Sequence, residues 1–148
     1  MRYKIYYQVC FLLLLSFVSC REMWGDHYLG NNFDLIEGDR IEDRVIVYCT
    51  GRSAGACTGG TPIIPSNNDT LSLYVEKAKS DKKWIVAKTK NKDQSESYWI
   101  FDKDLNVNLD TCDLAEFNSV IQSHITGPLD STEFESKRKM LNMSLDFK

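Results

Sequence analysis

Two apolar segments on either side of a short polar loop constrain the fold of this chain most strongly. Residues 83–89 and 97–102 are rich in β-branched and aromatic side chains, and residues 91–96 between them are polar. This arrangement predicts an antiparallel β-hairpin. Both segments are apolar on both faces, so we expect each face of the sheet to be covered, with helices as the available cover.

The loop also predicts the register of this hairpin. If the turn is centred near Asp93, Val86 faces Ile100 and Lys88 faces Tyr98. Other segments with strand-like patterns are residues 33–37, 44–49, 71–75 and 102–110, together with the proline-flanked residues 61–65, which are expected at a sheet edge.

Two helices are predicted after these strands. Asp113 and Glu116 form a capping-box pattern, and the helix is expected to stop at Gly127. A second capping box joins Asp130 and Glu133. Strands first and helices last predict an α+β fold: a single domain with an antiparallel sheet of about five to seven strands, followed by two C-terminal helices packed on the sheet.

The amino-terminal end has the pattern of a secretory signal peptide. Residues 1–19 contain Arg2 and Lys4, no acidic residue, and an apolar run at residues 9–18. That run is too short to cross a bilayer as a helix, which takes about 20 residues. We therefore predict that residues 1–19 are removed on export.

Removal of these residues changes the charge and the domain organisation. Of 148 residues, 129 remain, and the net charge falls from -3 to -5 because two basic residues leave. We expect residues 20–32 to be a tether and residues 33–148 to form one domain. The acidic balance argues against a nucleic-acid partner, and no motif indicates a cofactor.

The sequence Phe17-Val18-Ser19-Cys20 resembles the lipobox of bacterial lipoproteins. The resemblance implies an acylated Cys20 that anchors the protein in the bacterial cell membrane or the outer membrane, facing the periplasm or the cell surface. An ordinary secreted protein is the alternative. The segment from Gly127 to Asp130, followed by Glu133 and Phe134, is similar to small bacterial lipoproteins of uncharacterised function, and it implies a helix start rather than an activity.

Three cysteines stay in the predicted domain. An exported domain with Cys49, Cys57 and Cys112 allows one disulfide, and the glycine-rich segment between the first two favours a Cys49–Cys57 bond. Fully reduced cysteines, or a bond from Cys112 to either partner, are the alternatives. The absence of a CxxC pair and the presence of only two histidines argue against zinc.

The segment between these cysteines also carries the candidate contact residues. Gly51 to Gly55 matches the G-x-S-x-G pattern of a nucleophile elbow, which would make Ser53 the nucleophile of a small envelope hydrolase. A turn residue is the preferred interpretation, since no helix is expected to follow. We expect Arg52, Ser53 and Gly55 to form a contact loop for a partner or an anion.

One segment has the spacing of a calcium loop. Asp102, Asp104, Asn106 and Asp113 fall at suitable positions, but Val107 stands where such loops need glycine. A strand with alternating apolar side chains is the preferred interpretation, and we predict no metal site.

These observations predict a membrane-anchored envelope lipoprotein that binds a protein or other envelope partner and has no enzymatic activity. An immunity or inhibitor lipoprotein, acting with its acidic surface against a toxin or hydrolase, is the alternative. A hydrolase using Ser53 ranks third.

Overall fold

Eight strands and two helices make up residues 26–65, 73–105 and 111–147, which are the residues that the computed structural model describes. The first sheet has the order β1 (Asp26–Gly30), β2 (Phe33–Ile36), β3 (Val45–Ser53), β4 (Ala56–Ile64). The second sheet has the order β5 (Leu73–Ser80), β6 (Trp84–Asn91), β7 (Glu96–Asp102), β8 (Ile125–Leu129). Helix α1 (Leu114–His124) precedes β8, and α2 (Ser131–Met140) follows it.

All strand pairs are antiparallel, so the predicted α+β class with C-terminal helices is confirmed. The strands form two sheets of four rather than the one sheet of five to seven that the sequence predicted. The register of the β6–β7 hairpin is the predicted one, with Val86 opposite Ile100 and Lys88 opposite Tyr98.

Each face of the β6–β7 hairpin is covered by a different element. On the inner face, Phe101 packs edge-on against Phe33 of the first sheet, with ring centroids 4.8 Å apart. On the outer face, Val86 and Ile100 pack with Phe134 of α2. Helices were expected to cover both faces, but the first sheet supplies much of the inner cover because it carries its own apolar face.

A buried lysine links the two sheets. The Lys103 side chain is in the core, and its Nζ donates hydrogen bonds to the carbonyl oxygens of Leu29, at 2.8 Å, and Asp81. Leu29 lies on β1 and Asp81 in the turn before β6. Burial lowers the pKa of Lys103, because desolvation disfavours the charged amine.

Both predicted N-caps are present, and the full capping box is formed at α2, whereas α1 has only the N-cap bond. Asp113 accepts a hydrogen bond from the Glu116 backbone N–H at 2.8 Å, and Asp130 accepts from the backbone N–H groups of Thr132 and Glu133. Glu133 returns a bond by accepting from the Asp130 backbone N–H. Among the described residues, no helix has the length and hydropathy that a membrane span requires.

Helix α1 ends earlier than predicted. The helix stops at His124, and residues from Ile125 onward form β8, which pairs with β7 at the edge of the second sheet. Pro128 is tolerated there because an edge strand does not need every backbone N–H. Gly127 leaves room for Trp99, since an added Cβ would lie 2.7 Å from its ring.

The domain begins earlier than the sequence indicated. Strand β1 (Asp26–Gly30) lies within residues 20–32, which were expected to be a tether. It pairs with β2 through a two-residue turn in which Asn31 and Asn32 have positive φ angles. The polar and glycine-rich composition that indicated a linker therefore belongs to a hairpin.

The predicted strand at residues 102–110 is not formed at residues 103–105. Strand β7 ends at Asp102, and residues 103–105 leave the sheet, although Leu105 still packs against the core. Residues 106–110 lie outside the described residues, as do the predicted signal peptide, Cys20 and residues 66–72.

Candidate functional site

The candidate contact loop is the tip of the β3–β4 hairpin, and a disulfide holds its two strands together. Cys49 and Cys57 are bonded, with a Cα–Cα distance of 5.7 Å, which confirms the predicted pairing. Cys112 is outside the disulfide and half-buried, so the alternative pairings are wrong. Cys49 is almost fully buried, at 3% exposure.

A tight turn connects the two strands at the tip. Strand β3 ends at Ser53 and β4 begins at Ala56, leaving Ala54 and Gly55 as the two turn residues, with φ angles of 51° and 89°. Two consecutive positive φ angles are typical of a type I′ hairpin turn. A nucleophile elbow needs a helix after the serine, whereas Ser53 is the last residue of β3 and is followed by a hairpin turn and a strand.

Arg52 lies at the surface of the first sheet, where its side chain forms an ion pair with a buried carboxylate. Its guanidinium makes two hydrogen bonds to the Asp34 carboxylate, at 2.9 and 2.8 Å, and lies 4.7 Å from the centre of the Tyr28 ring. Asp34 is 1% exposed, and the Arg52 side chain is 27% exposed. The two-point ion pair neutralises the charge of Arg52, so an anion at the loop would have to compete with Asp34 for the guanidinium.

The ion pair and the disulfide touch each other. The Sγ atom of Cys49 lies 3.3 Å from Oδ2 of Asp34, the same oxygen that accepts from Arg52. Arg52 also donates to the Gly55 carbonyl across the turn. Three interactions thus hold the tip: the disulfide, the ion pair between Arg52 and Asp34, and the hydrogen bond from Arg52 to Gly55 across the turn.

A cleft of about 460 Å³ lies between this hairpin and the first turn of α1. Asp113 caps the helix at this point, and Leu114 beside it is 68% exposed. Cys112 lines the same cleft. The walls offer the polar side chains of Asn32, Thr50, Arg52, Thr61 and Asp113 together with the exposed Leu114. Such a mixture of polar groups and an exposed apolar side chain suits contact with a protein surface.

The residues described do not assemble a metal site. Their one cluster of potential ligands is Asp34 with Cys49 and Cys57, and the two sulfurs are bonded to each other and so are not thiolates. Of the calcium-loop residues, Asp113 caps α1 and Asp102 accepts a hydrogen bond from the Asp104 backbone N–H. Asn106 lies outside the described residues.

The hydrolase interpretation requires a histidine beside Ser53. His124 is the one histidine that follows Ser53 in the sequence, and its Nδ1 lies 3.2 Å from the Asp102 carbonyl oxygen in the second sheet. The contacts described for Ser53 and His124 therefore place them in different parts of the fold.

Sequence reasoning missed Asp34 and Tyr28 as parts of this site. Asp34 sits in an alternating strand pattern, where a carboxylate on the outer face is normally solvated. Its partner Arg52 is 18 residues away in sequence, and no local pattern connects them. The alternation of the strand does indicate that Asp34 lies on the opposite face from Phe33 and Leu35.

Fold and site together define a small α+β domain that carries a disulfide-closed hairpin at the edge of one sheet. No protein-family model matches the chain, and no curated protein or solved structure matches it either. The role of the hairpin must therefore be inferred from its geometry.

Proposed function

We propose that this protein is an exported lipoprotein, anchored through an acylated Cys20, whose domain binds an envelope partner without catalysing a reaction. The hairpin tip around Ser53 to Gly55 is the proposed contact surface. The signal-like residues 1–19 and the lipobox-like Cys20 support the anchor. The geometry of the first sheet supports the contact surface.

The position of the tip relative to the chain entry carries this proposal. Asp26 pairs with Ile36, and Ile36 pairs with Val45, so the chain enters the fold at the Val45 end of β3. The tip begins at Ser53, the other end of β3. At about 3.3 Å per residue, the two ends of this strand are about 26 Å apart.

The tether would keep the entry end close to the membrane. Only residues 21–25 separate Cys20 from β1, and an extended chain covers at most about 3.6 Å per residue, so Asp26 can lie no more than about 22 Å from an acylated Cys20. The tip at the far end of β3 would then point away from the bilayer, where a partner could reach it.

The tip is also preorganised for binding. The disulfide, the Arg52–Asp34 pair and the two-residue turn remove most of its conformational freedom before a partner arrives, which lowers the entropic cost of association. Tyr28, which stacks on Arg52, is 64% exposed. Exposed tyrosine beside arginine is a combination enriched in protein–protein contacts.

An immunity or inhibitor role would rely on the acidic surface instead. Asp39 and Glu42 are exposed near the 3₁₀ turn Ile41–Asp43, which connects β2 to β3. This turn lies at the entry end of the sheet, close to the proposed anchor, where a soluble toxin would have less access. The geometry therefore favours the hairpin tip over the acidic turn as the contact surface.

The anchor is tested by replacing Cys20. Cys20→Ala should move the protein from the membrane fraction to the soluble fraction, because the acyl chains would be missing. Cys112→Ala is the matched control and should leave fractionation unchanged. Membrane association that persists in Cys20→Ala would contradict the lipoprotein proposal.

The contact surface is tested by photo-crosslinking in intact cells. A photoreactive residue at Ser53 should give a discrete crosslinked product that excess purified wild-type domain removes by competition. The matched control places the same group at Lys92, an exposed residue in the turn of the β6–β7 hairpin. Equal products at both turns would show that the β3–β4 tip is not a specific surface.

The hydrolase alternative is tested separately. A serine-reactive fluorophosphonate probe should not label the wild-type protein, and Ser53→Ala should behave identically. Labelling that disappears in Ser53→Ala would overturn the non-enzymatic proposal.

A further inference from the structure

A second cavity, of about 300 Å³, lies on the outer face of the second sheet. Its floor is formed by β6 and β7, and the last turn of α2 stands over it. Trp84, Met140 and Leu141 give it apolar walls. Met140 is 65% exposed at this rim, which is unusual for a large apolar side chain without a contact to make.

The polar side of the cavity contains an oriented histidine. His124 Nδ1 lies 3.2 Å from the carbonyl oxygen of Asp102. A carbonyl oxygen can only accept, so Nδ1 carries the hydrogen in this contact. The other ring nitrogen, Nε2, is then left as an acceptor in the neutral ring and as a second donor in the protonated ring.

The two charged side chains that line the cavity, Asp102 and Lys137, differ in their ion-pair partners. The Asp102 carboxylate accepts from the Asp104 backbone N–H at 3.0 Å and lies 4.0 Å from the Lys83 ammonium. Lys137 also lines the cavity, and none of the carboxylates in residues 26–65, 73–105 and 111–147 forms an ion pair with it. Asp102 therefore has Lys83 as an ion-pair partner, whereas Lys137 has no such partner among the described residues.

We propose that this cavity binds a small molecule that carries a carboxylate on a flat apolar body. The apolar body packs against Trp84, Met140 and Leu141 beside the His124 ring, and the carboxylate meets the Lys137 ammonium. The lining combines the apolar side chains of Trp84, Ile100, Met140 and Leu141 with polar groups on Asp102, Ser123, His124, Thr126 and Lys137. A small-ligand site likewise combines apolar walls with a few polar groups that orient the ligand. The site lies on the second sheet and is separate from the hairpin tip of the first.

The chain offers an internal control for a binding experiment. It contains two histidines, and the other one, His27, lies on β1 of the first sheet. Naphthalene-1-acetate is a suitable probe because it combines a flat apolar ring system with a carboxylate. Titration of the purified full-length chain, followed by NMR of the histidine ring signals, should shift the His124 signals to saturation and leave those of His27 in place.

Two comparisons distinguish a site that binds the carboxylate group from a nonspecific apolar surface. Lys137→Gln should weaken binding of naphthalene-1-acetate by about threefold to tenfold, the effect of one partly exposed charge contact. Lys139→Gln, on the same helix but outside the cavity lining, should bind as the wild type does. The uncharged naphthalene-1-acetamide should bind as weakly to the wild type as the acid binds to Lys137→Gln.

The contrary results are equally specific. His124 signals that stay in place at millimolar probe would overturn the site itself. Equal affinity for the acid and the amide, or equal weakening by the two lysine substitutions, would overturn the assignment of a carboxylate ligand. Thermal unfolding of both exposed-lysine variants should match the wild type, which confirms that the comparison concerns binding and not folding.

Discussion

The β3–β4 and β6–β7 hairpins of this protein are held in place by different forces. The β6–β7 hairpin is buried on both faces, with Phe101 packed toward the first sheet and Ile100 toward α2. The β3–β4 hairpin extends past the end of β2, which pairs with β3 only over Val45–Tyr48. From Cys49 onward, a disulfide and an ion pair hold the strands where apolar cover ends.

The difference shows how a small domain can keep an exposed segment rigid. Hydrophobic burial stabilises a hairpin only where other elements pack against it, and residues buried in this way are not accessible to a partner. A covalent bond and a charge-assisted hydrogen bond fix a hairpin without covering it. The β3–β4 tip can therefore be both rigid and accessible, which the β6–β7 strands cannot.

The largest expected effect comes from removing burial in the β6–β7 hairpin. Phe101→Ala should lower the free energy of unfolding by about 3–5 kcal/mol, because the side chain is fully buried and its loss leaves a cavity. Urea unfolding followed by circular dichroism measures this loss. Leu114→Ala is the control, since Leu114 is 68% exposed, and it should change stability by less than about 0.5 kcal/mol.

A loss below about 1 kcal/mol in Phe101→Ala would contradict the account of this hairpin, since even modest cavities cost more. Burial on two faces would then not be the main source of stability of the β6–β7 hairpin.

Removing the disulfide should have a smaller effect that stays local. The double variant Cys49→Ala/Cys57→Ala should lose about 2–3 kcal/mol, the entropic cost expected for opening a loop of this length. The amide NMR signals of β6 and β7 should stay in place, because their burial does not depend on the bond. Changes should be confined to β3, β4 and the adjoining cleft.

Cys112→Ala controls for the loss of a thiol in the same cleft and should leave the signals of the hairpin tip unchanged. Loss of the whole native spectrum in the double variant would show that the disulfide supports the global fold, and the contrast between the two hairpins would disappear.

A smaller effect is expected from the charged end of the β6–β7 hairpin. Lys90 pairs with Glu76 at 2.6 Å and Lys88 with Glu96 at 2.7 Å, and these partners lower the pKa of both carboxyl groups. A lowered pKa in the folded state stabilises the protein above the ordinary value of 4.5, and this stabilisation is lost as the pH falls through the folded-state pKa.

Stability measured by urea unfolding between pH 7 and pH 3 should therefore fall in acid, and Glu76→Gln should flatten part of that fall. Glu42→Gln, at an exposed position of the 3₁₀ turn, is the matched control and should retain the full acid dependence. If the free energy of unfolding depends on pH in the same way in both variants, Glu76 does not contribute to the loss of stability in acid.

Local sequence patterns predicted the features that depend on neighbours along the chain. The register of Val86 with Ile100 followed from a single polar turn, and the caps at Asp113 and Asp130 followed from spacing over four residues. The Cys49–Cys57 bond was predictable for the same reason, because its loop is short and rich in glycine.

The features that the sequence did not indicate all depend on distant partners. Arg52 was expected to belong to a contact loop, and only the pairing of β2 with β3 brings its partner Asp34 beside it. Lys103 is a lysine in a polar stretch, and its carbonyl partners Leu29 on β1 and Asp81 in the turn before β6 lie 74 and 22 residues away in sequence. The division into two sheets likewise depends on which apolar faces meet.

The smallest expected effect concerns the tip itself, and it sharpens the contrast with the buried hairpin. Ala54 occupies the left-handed region at φ 51°, where a Cβ is unfavourable and asparagine is better tolerated. Ala54→Asn should raise the free energy of unfolding by about 0.5–1 kcal/mol without changing any buried contact. Gly55→Ala is the control with the opposite expected sign and should lower the free energy of unfolding. No atom lies near an added Cβ at Gly55, so the loss would come from backbone strain at φ 89° alone. Opposite signs from two adjacent exposed residues would show that backbone conformation, and not burial, sets the stability of the tip; equal signs would mean that the turn is not held in this geometry in solution.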